Sequence, residues 1–196
     1  MKIGIDIDDT TFLTIKSMLK YADKYQEEIT GKARKNDSLG LVTNRYYLKV
    51  LYGWDDQTKF TFFNKYYKSV LEECELIPNA NKVINKLKDD GNKIYFITAR
   101  LMNIDGCDTK NITKESLRKF GINYDELYLG VKDKLTFCKD NNIDLLIEDS
   151  YETCLELINN GVKAMLMTTK MNENIDAKDI PRVSSWIEIY DLIKNI

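Results

Sequence analysis

The sequence predicts an α/β fold, a Rossmann-like parallel sheet with helices on both faces, interrupted after its first strand by a block of helices. Three observations predict it. From Pro78 onward, short apolar runs alternate with segments of helical period, the pattern of strand–helix–strand units. Residues 11–76 show helical period and no clear strand. Acids, a threonine and a lysine fall at the ends of predicted strands, which is where open parallel sheets keep their sites. The expected division is a sheet domain from 1–10 and 77–196, with a helical insertion at 11–76.

The elements follow in order. "KIGIDI" alternates isoleucine with small or polar residues, and its N-terminal place suggests a central strand. From Phe12 the period lengthens: Phe12, Ile15, Leu19, Ala22, Tyr25 and Ile29 lie on one helical face, and Gly31 ends it. "ARKNDSLG" is polar and reads as a loop. Tyr46, Tyr47, Val50 and Leu51 predict a second helix; Phe60, Phe63, Tyr67 and Val70 predict a third, to about Glu73. Asn79 is placed to cap the helix "ANKVINKLKDD", which Gly91 stops. Then come strand "KIYFIT", helix "TKESLRKF" ended by Gly121, strand "ELYLG", helix "KDKLTFCKDNN", strand "DLLIED", helix "YETCLELINN" stopped by Gly161, strand "KAMLMT" and helix "SSWIEIYDLIKN". The stretch 100–111 is expected to be a long loop bordering the site.

Composition removes several classes of function. The chain has 196 residues, 43% hydrophobic and 31% charged, with a net charge of −2. That length can bury a core without disulfides or structural metal, and that charge offers no basic field to a nucleic acid polymer or an anionic membrane. No run approaches the ~20 apolar residues of a membrane-spanning helix, and the N-terminus does not read as a signal peptide. There is no histidine, so histidine-based triads are excluded and acid–base work falls to Asp, Glu, Lys, Tyr or Cys. Four cysteines without CxxC spacing, and no histidine, argue against a zinc site. Reduced thiols in the cytoplasm are the expectation.

The strand ends carry the chemistry. Strand one ends "DIDDT", strand two "FITAR", the helix after strand three opens "KDK", and strand four ends "IEDS". Converging carboxylates need a compensating cation, and an oxygen-rich hard site suits Mg²⁺. A lysine and a threonine beside such an ion suit a phosphate. An EF-hand reading fails, because the sixth and twelfth loop positions are Thr11 and Ser17 rather than Gly and Glu.

This set, in this order, resembles the haloacid dehalogenase-like hydrolases: "DIDDT" their Asp-x-Asp-x-Thr/Val motif, Thr98 the second motif, Lys134 the third, and "ED" at 148–149 the fourth. The resemblance spans the chain except the helical insertion, which falls at that superfamily's cap position. "IDIDDT", "DKL…IDLLIEDS" and the late "W-x-E-I" are most similar to the 5'(3')-deoxyribonucleotidase-like group. The resemblance implies an HAD-like core and a phosphomonoester hydrolase working through an aspartyl-phosphate. Asp6 would be the nucleophile and Asp8 the acid–base residue. Mg²⁺ would be held by Asp6, Asp149 and the backbone carbonyl of Asp8, with Glu148 behind it, and Thr98 and Lys134 would bind phosphate. The implied substrate is a nucleoside monophosphate; another small phosphorylated metabolite such as a sugar phosphate is the alternative.

Some residues depart from the pattern or compete for a place in it. Many relatives have Gly where this chain has Asp9, which receives no role. Lys132 competes with Lys134, and Lys134 is preferred because it begins the following helix. Arg100 is left outside the catalytic set. A phospho-receiver domain has a different order of acids, Thr/Ser and Lys, and a non-catalytic binding regulator would not need every chemical position filled. Twelve aromatics in the insertion could stack on a base or pack the helices. Phe12, just behind the acids, and Trp54, in "YGWDD", are the candidates for substrate contact.

Overall fold

A computed structural model describes residues 1–34, 47–177 and 180–195. Within them lie six strands and eight helices: β1 (Lys2–Ile5), α1 (Thr14–Thr30), α2 (Tyr47–Tyr52), α3 (Asp56–Glu72), α4 (Ala80–Asp89), β2 (Lys93–Thr98), α5 (Thr109–Lys119), β3 (Glu126–Leu129), α6 (Lys134–Asp140), β4 (Leu145–Glu148), α7 (Tyr151–Asn159), β5 (Lys163–Met167), β6 (Arg182–Val183) and α8 (Trp186–Lys194). Tyr46 and most of the predicted polar loop at 33–40 lie outside the described residues. No described helix is long and apolar enough to cross a membrane.

All six strands run parallel in the order β3-β2-β1-β4-β5-β6. The order reverses beside β1, so the crevice that a doubly wound sheet leaves at its switch point opens at the carboxyl ends of β1 and β4. Register sets the neighbours there: Ile5 pairs with Phe96 and with Ile147. The residues that follow β1 therefore emerge between the ends of β2 and β4.

Strand alternation builds two cores. Ile3, Ile5, Ile94, Phe96, Leu145 and Ile147 face α4 and α8, with Leu87, Trp186 and Ile189 beneath them. On the other face Ile97, Leu146, Ala164 and Leu166 meet Cys138 of α6 and Cys154 and Leu157 of α7. Gly4 is needed on that second face: a Cβ there would come within 2.8 Å of both Ile97 Cδ1 and Leu146 Cδ1. The free cysteines are all buried.

Helices α1, α2 and α3 build a third cluster of their own from Met18, Tyr21, Ala22, Tyr25, Leu48, Trp54, Phe62, Tyr66, Tyr67 and Val70, joined by Cys107 and Ile112. Asp55 starts α3 by accepting from Thr58 N at 2.7 Å. Gly31 ends α1 at φ 66, in the left-handed region that costs glycine least.

The local reading differs from the structure in four places. Strand β1 stops at Ile5, so Asp6 and Ile7 of the predicted "KIGIDI" strand belong, with Asp8, to the loop that follows. Asn79 makes no side-chain cap; it sits at φ 65 as a left-handed turn residue, a conformation Asn tolerates. Helix α5 starts at Thr109, because Asp108 caps it by accepting from Asn111 N at 3.0 Å, which shortens the predicted long loop. Strand β6 has two residues, too few to show a period.

Candidate active site

The loop after β1 is folded back on itself. Asp6 N donates to Ile147 O at 2.9 Å, which ties it to β4, and Thr11 Oγ1 donates to Asp6 O at 2.8 Å. Thr11 N and Phe12 N both donate to Ile7 O, and Asp9 N donates to Phe12 O. The turn requires a left-handed residue at position 9, and Asp9 supplies it at φ 56. The indole of Trp186, from the late "W-x-E-I", donates to Thr10 O at 3.0 Å and holds the loop from below.

That turn answers the question Asp9 posed. Both oxygens of its carboxylate accept from Ile15 N, at 3.1 Å. It thus satisfies an orphan donor in the first turn of α1. Burial pushes the Asp9 carboxyl up to about 8; the Ile15 N–H opposes this, and Asp8 and Asp6 add to it.

Lys134 opens α6, where Asp133 caps the helix by accepting Thr136 N at 2.9 Å. Its buried ammonium donates to Asp6 Oδ1 and to Glu148 Oε2. Lys132 is exposed. Burial works against the Lys134 charge, but Asp6 and Glu148 outweigh it and raise its pKa. Glu148 ends β4, and its other oxygen accepts Asp149 N and Ser150 N, both at 3.1 Å. Burial, then Glu148, push the Asp6 carboxyl up to about 7 against the pull of Lys134. Asp149 is raised well above the usual range by burial, Glu148, Asp9 and Asp6.

Thr98 ends β2 fully buried, its Oγ1 accepting Arg100 N at 3.2 Å. Asp8 lies against the neighbouring Arg100: Nε reaches Oδ1 at 2.9 Å and Oδ2 at 3.2 Å, and Nη2 reaches Oδ1 at 2.8 Å. Thr14 Oγ1 donates to the same Oδ1 at 2.6 Å. Burial alone would raise the Asp8 carboxyl; Arg100 and the Thr14 hydroxyl overcome it and hold it below the usual range.

The donor chemistry fits a hard cation. Carboxylate oxygens of Asp6, Glu148 and Asp149 lie within 4.8 Å of one another. The acids Asp6, Asp8, Asp9, Glu148 and Asp149 gather around the two cations Lys134 and Arg100. Burial first, and then the neighbouring carboxylates, raise Asp6 and Asp149; a divalent ion with oxygen ligands would neutralise the charge those carboxylates gather.

The two aromatic candidates are placed differently from expectation. Phe12 is fully buried in the sheet core, 5.7 Å from the Phe120 ring. Trp54 is buried among Tyr25, Tyr52 and Phe62, and its Nε1 donates to Gln26 Oε1 at 2.7 Å. Neither ring offers a free face: Phe12 is packed into the sheet core, and Trp54 into the cluster where α1–α3 bury their aromatics against one another. The aromatics whose phenols feel the acids are Tyr47 and Tyr67; Tyr67 Oη also accepts Leu101 N at 3.2 Å, joining α3 to the loop after β2.

Sequence reasoning left Arg100 outside the catalytic set and missed Thr14, Thr113 and Asn172. Arg100 stood in the quoted "FITAR". Nothing local marks Asn172, whose buried amide donates to Asp149 O at 2.8 Å and Met167 O at 2.7 Å and accepts from Arg182 Nη1 at 2.9 Å.

Residues 1–196 match the family model described as 5' nucleotidase, deoxy (pyrimidine), cytosolic type C protein. A nucleotidase from Clostridium acetobutylicum is 32% identical over 197 residues, covering 100% of this chain and 95% of the relative. Among solved structures, one described as a predicted phosphatase from Clostridium acetobutylicum superimposes with a TM-score of 0.72 at 16% identity, over 100% of this chain and 98% of the other. A haloacid dehalogenase-like family hydrolase from Streptococcus pneumoniae gives 0.71 at 15%, over 98% and 97%. At those identities the structural likeness is one of fold.

Proposed function

The chain belongs to the cytosolic type C 5' nucleotidase family, with a haloacid dehalogenase-like fold, and on that premise we propose that it is a Mg²⁺-dependent nucleotidase of the cytoplasm. It hydrolyses (deoxy)nucleoside monophosphates through an aspartyl-phosphate on Asp6. The observation that carries this reading is the buried Lys134 ammonium shared between Asp6 and Glu148 at the switch point of the sheet. A lysine there orients one Asp6 oxygen and leaves the other for phosphorus.

The Mg²⁺ ion would be held by Asp6, Asp149 and the backbone carbonyl of Asp8, with Glu148 beside them, and when bound it neutralises charge on the phosphate oxygens. Asp6 attacks phosphorus in line as the bond to the alcohol breaks, and Asp8 gives the departing oxygen its proton. In the second half-reaction water attacks phosphorus, its proton passes to Asp8, and the bond to Asp6 breaks. Arg100 keeps Asp8 anionic at rest, the form that accepts a proton from water. An arriving phosphate pushes that carboxyl toward the protonated form needed first. Thr98 and Lys134 hold the transferring phosphoryl group. Residues 11–76 act as a cap over the sheet domain of 1–10 and 77–196. Tyr47 and Tyr67, rather than Phe12 or Trp54, are its aromatics toward the substrate.

The test is a panel of phosphate esters assayed with Mg²⁺ and with EDTA, on the wild type and on Asp6→Asn. Turnover is expected to favour nucleoside monophosphates, to stop in EDTA, to return with Mg²⁺ and to vanish in the folded variant. Metal-independent turnover would refute the cofactor, full activity of the variant would refute the nucleophile, and preference for sugar phosphates would refute the substrate.

A further inference from the structure

The reaction as derived gives Arg100 no contact with phosphate, yet its side chain is only 1% exposed, and its partner Asp8 is 33% exposed. Burying a guanidinium costs several kcal/mol unless its donors are met. Here they are met in a particular way. Nε and Nη2 form a fork on Asp8, Nη1 donates to Thr113 Oγ1 at 2.9 Å, and Thr113 Oγ1 in turn donates to Thr109 O at 2.7 Å. The head group is thus anchored to α5 on one side and gripping Asp8 on the other. Its backbone N–H donates to Thr98 Oγ1, so the same residue is also joined to the end of β2.

The two oxygens of Asp8 are treated unequally. Oδ1 accepts three hydrogen bonds, from Thr14 Oγ1, Arg100 Nε and Arg100 Nη2, at 2.6 to 2.9 Å. Among the described residues, Oδ2 accepts only the longer 3.2 Å share of Nε. We propose that Arg100 is the positioning residue for Asp8: with Thr14 it locks Oδ1 and leaves Oδ2 as the oxygen that exchanges the proton. A lysine, a point charge with no planar fork, could not set the carboxylate plane in this way. The inference rests on the reading of Asp8 as the acid–base residue. In the first half-reaction the Asp6–phosphorus bond forms and the bond from phosphorus to the alcohol oxygen breaks, its electron pair staying on oxygen. The proton on Asp8 Oδ2 passes to that oxygen. In the second, water's oxygen forms a bond to phosphorus as the Asp6–phosphorus bond breaks, its electron pair staying on the Asp6 carboxylate, and water's proton passes to Oδ2.

The experiment compares kcat/KM on a nucleoside monophosphate and on p-nitrophenyl phosphate for the wild type, Asp8→Asn, Arg100→Lys and Arg100→Met. This ratio covers the steps through release of the alcohol. A sugar alkoxide needs a proton to leave, and nitrophenolate does not. Asp8→Asn is expected to lose far more on the nucleotide than on the aryl ester. Arg100→Met should repeat that selective pattern with a loss of roughly 10²-fold on the nucleotide, with the inhibition constant for inorganic phosphate unchanged. Arg100→Lys should fall on the same side. Equal losses on both esters would overturn the proposal in favour of support of the fold alone. A weakened inhibition by phosphate would overturn it in favour of direct substrate binding. An unselective Asp8→Asn would instead remove the acid–base role of Asp8, which separates that failure from one specific to Arg100. Melting curves establish which variants fold. If Arg100→Met does not, Arg100→Lys and Thr113→Val, which removes the anchor on Nη1, carry the same comparison.

Discussion

Replacing Lys134 by Met should destabilise the metal-free protein strongly, and by an amount that depends on pH. The Lys134, Asp6 and Glu148 side chains are 7%, 6% and 4% exposed, so solvent cannot screen what the substitution uncovers. Methionine fills much of the lysine volume, which leaves loss of the cation as the dominant change. Removing one partner of a buried ion pair costs about 3–5 kcal/mol, because the charge left behind is buried without compensation. For a chain of this size each kcal/mol moves Tm by about 2–4 °C, so the drop should be roughly 6–20 °C. Asp6 has an escape, which is to take up a proton. The Asp6 carboxyl already stands at about 7 with the ammonium beside it, and losing Lys134 raises it further. At pH 5 Asp6 is therefore neutral in both proteins and the penalty shrinks; at pH 8, where the wild-type Asp6 has ionised beside Lys134, it is larger. Thermal melts of both proteins in EDTA at the two pH values measure this. A drop of the same size at both, or none at pH 8, would refute the reasoning that Lys134 compensates buried charge.

Two further predictions follow from the same geometry. The folded-state pKa of Asp6 lies at about 7 and that of Asp9 at about 8, both above the unfolded value of 3.8, so the folded protein binds more protons than the unfolded chain between those limits. Stability of the metal-free protein must then fall as pH rises from about 4 to about 8. Urea melts in EDTA should show that slope and saturating Mg²⁺ should flatten it, whereas stability rising across this window would contradict the burial of uncompensated carboxyls. Trp54→Ala should cost about 3–5 kcal/mol from the lost ring. The better-behaved Trp54→Phe should leave the ratio of nucleotide to p-nitrophenyl phosphate turnover unchanged, and a shifted ratio in that folded variant would return Trp54 to the substrate.

The parts of the site that could be read from the chain are those whose signal is local. The alternation in "KIGIDI" and "KIYFIT" and the helical period of 80–90 come from which side of an element meets the core, and they identified the parallel sheet and its order of elements. The strand-end residues Asp6, Thr98, Lys134, Glu148 and Asp149 were legible because a strand's carboxyl end in such a sheet is a known place. The choice of Lys134 over Lys132 followed from its position at the start of α6, where the structure also buries it.

What only the tertiary structure decided is the set of partners those side chains take. The contact of Lys134 with Asp6 spans 128 positions and that of Arg100 with Asp8 spans 92. No period or composition encodes such pairs; they exist because β1 lies between β2 and β4 in the sheet. The same holds for the aromatics. Their abundance in the insertion was visible, but which of them face inward depends on tertiary packing: α1, α2 and α3 take Trp54 away from solvent, and the sheet core takes Phe12. Asp9 shows the division within one residue. The sequence made it an unexplained acid in a cluster of acids. The fold gives it a left-handed turn to occupy and the first turn of α1 to cap, because the chain doubles back at that point and brings Ile15 N to its carboxylate.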